Sequence, residues 1–149
     1  MDQIIEEKLL CAWMDMGLNI RGNRIVSSLS FNEIIVCNIL YRNKCSGEPL
    51  LTATDIGNHT KLLKSQLNKV LTTMEEKKLI ERTRSDSDKR KVCLKLREDH
   101  MDIYFKEHEK VMQLVRGVCD KLGEDKVITL SALLTEAVAA VDDIQQALI

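Results

Sequence analysis

The sequence has little proline and glycine. Among its 149 residues are one Pro and six Gly, whereas Leu, Glu, Lys and Met are abundant. An all-β protein with many tight turns is therefore disfavoured, and helix is favoured. A chain of this length forms one domain with its own core, so we predict a single, mainly α domain over residues 1–149.

Long hydrophobic runs are also absent. No apolar segment approaches the roughly 20 residues that a membrane span needs. The first ten residues, MDQIIEEKLL, carry acids where a signal peptide would carry a basic region. We expect a cytoplasmic protein without a membrane partner.

Motifs of metal and catalytic sites are missing too. The five cysteines form no C-x-x-C pair, which argues against a disulfide framework and a zinc ribbon. The histidines, His59, His100 and His108, are dispersed, and we expect them to be solvated, although His100 could meet Glu107 or Cys119 after folding. There is no Gly-rich phosphate loop, G-x-S-x-G or H-E-x-x-H. We predict neither an enzyme nor a bound cofactor or metal.

Charge is unevenly distributed along the chain. Between Lys61 and Arg97 there are 12 Lys and Arg against 5 Asp and Glu, although the net charge of the whole chain is −1. A basic middle between acidic ends is expected when one sub-region meets a polyanion and the others do not.

Apolar periodicity predicts two helices in the first third of the chain. The first covers residues 4–20. The second runs from Phe31 to Tyr41, because Ser30 and Glu33 form a capping box before it and a loop containing Gly47 follows it.

A short helix over residues 53–58 and a longer one over residues 63–77 follow. The polar face of the longer helix can donate hydrogen bonds and carries no acid: Lys64, Ser65, Gln66, Asn68 and Lys69. Such side chains suit phosphates and base edges, with Gln and Asn pairing to adenine. The alternative is that they only form the solvent-exposed face of an amphipathic helix.

A β-hairpin is predicted next, with strands Leu79–Arg84 and Lys91–Leu96. Alternation points Val92, Leu94 and Leu96 to one face and Lys91, Cys93 and Lys95 to the other. A short helix, a turn, a polar-faced helix and a hairpin form a winged helix-turn-helix, whose second helix enters the major groove.

The stretch LIERTRSDSDKRKVCLKL resembles the wing signature of the MarR family of bacterial winged-helix regulators. Arg82, Arg84, Asp88 and Arg90 occupy the signature positions. The resemblance implies that Arg90, with Lys89 beside it in the tip, reaches DNA, and that Asp88 holds the wing through Arg84 or Arg90.

Two positions depart from that family. Lys78 stands where the family has Gly, so we expect the preceding helix to end without the favoured left-handed glycine cap. Arg97 replaces a Thr, which leaves the N-cap of the next helix to a residue such as Asp99.

Two long apolar helical patterns, separated by Gly123, fill the C-terminal third. In the resembled family the first and last helices interlock to form a homodimer. We therefore predict a DNA-binding lobe over residues 30–98 and a dimerisation region over residues 1–22 and 99–149. The alternative is a self-contained helical layer.

An effector site is the least visible part. The resemblance implies a small-molecule pocket. The Met and aromatic residues that could line it are Trp13, Met14, Met16, Tyr41 and Met112. The alternative is that these residues only form part of the hydrophobic core. Some members of the family sense oxidants through a cysteine near the start of the chain, which makes Cys11 a redox candidate.

Two functions remain. The first is a homodimeric regulator that binds double-stranded DNA at a pseudo-palindromic operator, with repression as the simpler mode because a bound dimer blocks polymerase. The second is a winged-helix protein-interaction module that does not read DNA.

Overall fold

Helices dominate the structure, a computed structural model that describes residues 3–21, 28–85 and 87–148. The helices are α1 (Gln3–Arg21), α2 (Phe31–Cys45), α3 (Ala53–Thr60), α4 (Lys64–Glu76), α5 (Met101–Leu122) and α6 (Glu124–Ala147), and the strands are β1 (Ile80–Arg84) and β2 (Val92–Leu96). The predicted fold class, mainly α with a small β-hairpin, is confirmed.

The chain forms two compact units, Met1–Lys110 and Val111–Ile149. In the first unit, α2, α3 and α4 pack with the hairpin around a leucine-rich core that includes Ile56 and Leu71. In the second unit, α6 has no buried residue. The predicted lobes, 30–98 and 1–22 with 99–149, remain a prediction.

The predicted capping box begins α2, and a second capping box begins α3. At α2, Ser30 N donates to Glu33 Oε2 at 2.6 Å and Glu33 N donates to Ser30 Oγ at 3.3 Å. At α3, Thr52 and Asp55 form the same pair of bonds, and the hydrogen bond from the Thr52 amide holds the pKa of the Asp55 carboxyl below its ordinary value. Both helix starts therefore follow from residues three positions apart in sequence.

The end of α4 forms a Schellman motif. Lys78 N donates to Glu75 O and Leu79 N donates to Met74 O, each at 2.9 Å, and Lys78 has a φ of +59°. A lysine thus takes the left-handed position that glycine usually fills, which costs about 1 kcal/mol relative to glycine. The next residue, Leu79, is fully buried, and β1 begins immediately after it.

The hairpin is antiparallel, with Ile80 opposite Leu96 and Arg84 opposite Val92. The pairing is continuous, as the predicted alternation of faces requires, but burial does not follow that alternation at the outer end, because Cys93 is buried and Val92 is 45% exposed. A third segment explains the difference: Leu94 N donates to Leu51 O at 2.8 Å, and Thr52 bridges Cys93. This segment and α3 lie against β2, whereas Val92 stands beside the wing tip.

Two other boundaries differ from prediction. Helix α2 continues four residues past Tyr41 and ends at Cys45; Ser46 is its C-cap, and the next residue, Gly47, takes a φ of +68°. Asp99 lies inside a 3-10 turn, Glu98–His100, and not at the N-cap of α5. Its carboxylate binds Arg97 Nη2 at 2.9 Å, which lowers the pKa of Asp99 to about 2.

Candidate nucleic-acid interface

Helix α4 presents a polar face and buries the opposite one. Leu67, Leu71 and Met74 are buried in the core, and their spacing of three to four residues fixes the rotation of the helix. The five side chains predicted to contact DNA all lie exposed: Lys64, Ser65, Gln66, Asn68 and Lys69. They line one accessible surface rich in hydrogen-bond donors.

The N-terminus of α4 is capped in an unusual way. The N-cap residue is Leu63, which has no side-chain oxygen to accept a bond from the first turn. Gln66 Oε1 instead accepts a bond from Leu63 N at 3.2 Å. The carbonyl oxygen of Gln66 is therefore engaged within the helix, while its amide N–H groups remain available as donors.

The wing tip is ordered by its own backbone and by Asp88. The Asp88 carboxylate accepts the backbone N–H of Arg90 at 3.0 Å, and Lys91 N donates to Asp88 O at 2.9 Å. Asp88 therefore stabilises the turn through the backbone amide of Arg90, and its contact with the guanidinium of Arg84 or Arg90 stays a prediction. This leaves the exposed side chains of Lys89 and Arg90 outside the turn's own hydrogen bonds.

Two groups of basic side chains in this region differ in their ion pairs. Those near the base of the hairpin and the end of α4 are neutralised by acids, in the pairs Lys77–Glu33, Arg82–Glu75, Lys95–Glu81 and Arg97–Asp99. Those on α4 and at the wing tip form no ion pair with any described residue: Lys64, Lys69, Arg84, Lys89 and Arg90. The excess positive charge is thus concentrated on two elements.

A buried carboxylate, which the sequence did not reveal as a partner of α4, anchors the end of that helix. Both oxygens of Glu33 accept Lys77 Nζ, at 2.9 and 2.8 Å, and Lys77 Nζ also donates to Ser28 O. Glu33 is 2% exposed. Because Lys77 caps α4, this contact fixes the C-terminal end of the polar-faced helix to the start of α2.

The predicted effector residues are only partly brought together. Tyr41 contacts Phe105 edge-on, with ring centroids 5.3 Å apart, and Tyr104 at 6.1 Å. These partners on α5 were missed in the sequence because they lie more than 60 residues away. The others are exposed on α1 or lie in the second unit: Trp13, Met14, Met16 and Met112.

Other classes of site find little support in the described residues. Cys11 lies exposed on α1. No three His, Cys, Asp or Glu side chains cluster to hold a metal ion within the part of the chain that the structure covers. None of the described helices is long and apolar enough to cross a membrane.

Comparison with known proteins identifies relatives of this architecture. Residues 25–106, more than half of the chain, match the family model described as transcriptional regulator SarA/Rot. The HTH-type transcriptional regulator FarR of Neisseria gonorrhoeae is 30% identical over 89 residues. That alignment spans 60% of this chain and 60% of FarR.

Solved structures share the fold along nearly the whole chain. A MarR family protein from Bacillus stearothermophilus superposes with a TM-score of 0.71 at 18% identity, covering 95% of this chain and 99% of that one. Streptococcus pneumoniae FabT, solved in complex with DNA, gives a TM-score of 0.66 at 23% identity, covering 95% and 98%. The hairpin of this chain is therefore the wing of a winged helix-turn-helix fold.

Proposed function

Because the chain belongs to the SarA/Rot family of transcriptional regulators, we propose that it binds a pseudo-palindromic DNA operator as a homodimer and represses transcription. The resemblance of its wing to MarR regulators is confirmed by these relatives, and the chain is a winged-helix transcription regulator. The operator, the dimer and the direction of regulation are the proposed part.

The observation that carries the proposal is the position of the unneutralised cations. Lys64 and Lys69 on α4, together with Arg84, Lys89 and Arg90 on the wing, lack acidic partners among the described residues. Cations held apart from acids on two protruding elements suit the phosphates that flank a groove. FabT, which shares the fold, was solved in complex with DNA, and this supports DNA as the polyanion.

Each element is proposed to have its own role. The N-terminal part of α4 enters the major groove, where Ser65 and Asn68 reach base edges and the lysines meet phosphates. The wing approaches the minor groove through Arg90, which the Asp88 turn presents at the tip. Lys77 and Glu33 keep α4 in place from its other end.

Apolar exposure supports the homodimer. Large apolar side chains stand exposed along α1, including Leu9 at 64% and Trp13 at 56%, and along α6, including Val138 at 63%. A 24-residue helix without one buried residue cannot be stabilised by its own chain. The simplest way to bury its apolar side chains is to pack them against a second copy of the chain. Residues 1–22 and 99–149 are proposed to form this dimerisation region.

Sedimentation tests the dimer. Val138→Asp places a charge on the exposed apolar side of α6, and we expect it to shift the protein from dimer to monomer at micromolar concentration. A protein that sediments as a monomer without any substitution would contradict the homodimer.

Effector control is proposed on narrower grounds. The aromatic cluster around Tyr41 offers apolar surface next to the half-exposed Phe105. Trp13, Met14, Met16 and Met112 are proposed as further effector-binding residues. Cys11, exposed on α1, is proposed as an oxidation-sensitive thiol at the same dimerisation region.

The interface is tested by fluorescence anisotropy with duplex DNA from upstream of the protein's own gene. Arg90→Ala should weaken binding by about 1–3 kcal/mol. Arg97→Ala is the matched control, since it removes the same charge from the residue that follows the hairpin and is already paired with Asp99. We expect it to leave DNA binding nearly unchanged. Equal loss in both variants would remove the wing tip from the contacts.

Binding that is weak and equal for all duplexes would favour the protein-interaction module instead. Selection from a random-sequence pool separates this outcome from a distant operator, because only a DNA-reading protein enriches a sequence.

A further inference from the structure

Leu63 is the most exposed large apolar side chain of the described residues from 28 to 110, at 68%. It is the N-cap of the polar-faced helix and stands immediately before Lys64 and Ser65. We propose that Leu63 is a specificity-determining residue that contacts the C5-methyl group of a thymine in the operator. This inference rests on the proposed function, and it adds a direct apolar contact to a helix otherwise equipped with donors.

The backbone of Leu63 is held firmly while its side chain is left outside. Its N–H donates to Gln66 Oε1 at 3.2 Å, and its carbonyl accepts Leu67 N at 2.9 Å. The preceding Leu62 packs against the core. Anchored on both sides in this way, the side chain of Leu63 is presented to solvent in a defined position, as direct contact with a base requires.

Leucine is a poor choice for this position in the free protein. The N-caps of α2 and α3 are Ser30 and Thr52, which bind the first turns of their helices through side-chain oxygens. Leucine at an N-cap forgoes such stabilisation, and it leaves an apolar side chain in water. The N-cap of α6, Gly123, also forms no side-chain bond, but glycine is a tolerated N-cap whereas leucine is not. A disfavoured N-cap residue that is also exposed points to a role in contact with another molecule.

The chemistry around Leu63 indicates which molecule that is. The neighbours Lys64, Ser65 and Gln66 are exposed donors, suited to phosphates and base acceptors. The first residues of a recognition helix lie closest to the base edges of the major groove. The apolar feature of that groove is the thymine methyl group, which apolar side chains contact.

Gln66 strengthens the assignment. A glutamine that reads adenine uses both its carbonyl oxygen and its amide nitrogen. Here Gln66 Oε1 is engaged by the Leu63 backbone, so the bidentate adenine contact is not available in this conformation. Recognition of an A·T pair at this end of α4 then falls to the thymine methyl group and Leu63.

Replacing thymine by deoxyuridine tests the contact, because it removes only the methyl group. The probe is the duplex that the wild-type protein enriches from a random-sequence pool, resynthesised with deoxyuridine at one thymine position per half-site. We expect the wild type to bind about fourfold more weakly for each methyl group lost at the contacted position. Leu63→Ala should bind the thymine duplex more weakly and show no difference between thymine and deoxyuridine there.

Two controls keep the test decisive. Alanine is as poor an N-cap as leucine, so Leu63→Ala should unfold at an unchanged temperature. Leu50→Ala removes another exposed leucine, from the connection between α2 and α3, and should keep the full response to deoxyuridine.

The inference is overturned if Leu63→Ala responds to deoxyuridine as the wild type does, or if no thymine position affects wild-type binding. Either result leaves the regulator intact, since the wild type still enriches and binds a specific duplex. A selection that enriches no sequence overturns the proposed function and the inference together.

Discussion

Removal of Lys77 tests how the DNA-facing helix is held. Lys77→Met keeps the apolar stem but deletes the ammonium group that contacts both oxygens of Glu33. The Glu33 carboxylate is 3% exposed and Lys77 is 36% exposed. After the substitution, a buried carboxylate keeps its bond from Ser30 N but loses its only described cation.

The expected cost lies between two limits. Breaking a fully buried pair costs about 3–5 kcal/mol, and breaking an exposed one costs about 0–1 kcal/mol. Because water reaches Lys77 but hardly reaches Glu33, we expect Lys77→Met to lower the free energy of unfolding by about 2 kcal/mol. Adding Glu33→Gln removes the stranded charge, so the double variant should be at least about 1 kcal/mol more stable than the sum of the single effects predicts.

Urea unfolding at one fixed protein concentration measures these differences. Lys44→Met is the matched control, because Lys44 pairs with Glu98 at the far end of α2 with both side chains exposed; its cost should stay under about 0.5 kcal/mol. If Lys77→Met costs no more than Lys44→Met, or if the double variant is simply additive, Glu33 does not depend on Lys77 and the reasoning is refuted.

Other predictions follow from the backbone and the thiols. Lys78→Gly relieves a left-handed φ of +59° and should raise the free energy of unfolding by about 1 kcal/mol, whereas an unchanged value would mean that Lys78 is unstrained. Alkylation followed by mass spectrometry should label the exposed Cys11 and Cys45 in the folded protein, and the buried Cys37 and Cys93 only after unfolding; fast labelling of Cys37 would contradict its placement. Burial beside Glu33 raises the pKa of Cys37 to about 12, so the thiol stays neutral in the folded protein while it ionises near pH 9 in the unfolded chain. The free energy of unfolding should therefore fall as the pH rises from about 9 to 12. A Cys37→Ala variant should lose this part of the pH dependence.

Features encoded by neighbouring residues were predictable from sequence. Ser30 and Glu33 form the predicted capping box within a single helical turn, and Thr52 and Asp55 form another at the start of α3, a helix that was also predicted. The polar face of α4 also followed from periodicity, because Leu67 and Leu71 had to face the core. In each case, the information lies within a few residues of the feature.

Features that depend on distant segments were not predictable in the same way. Cys93 is buried because residues 51 and 52 lie against β2, some 40 residues away in sequence. Glu33 and Lys77 are 44 residues apart, and neither residue's neighbours indicate that they meet. Alternation and local charge describe one element at a time, so contacts between elements emerge only from the folded chain.

The salt dependence of DNA binding tests the central claim most directly, because phosphate contacts release counterions. If the cations of α4 and the wing that have no acidic partner among the described residues provide about six phosphate contacts in a dimer, the logarithm of the association constant should fall with the logarithm of salt concentration with a slope of about −5. Arg90→Ala should make that slope shallower by about 2, one contact from each subunit, while Arg97→Ala leaves it unchanged. A slope near zero, or one equally altered by both substitutions, would contradict the assignment of α4 and the wing as the DNA-binding surface.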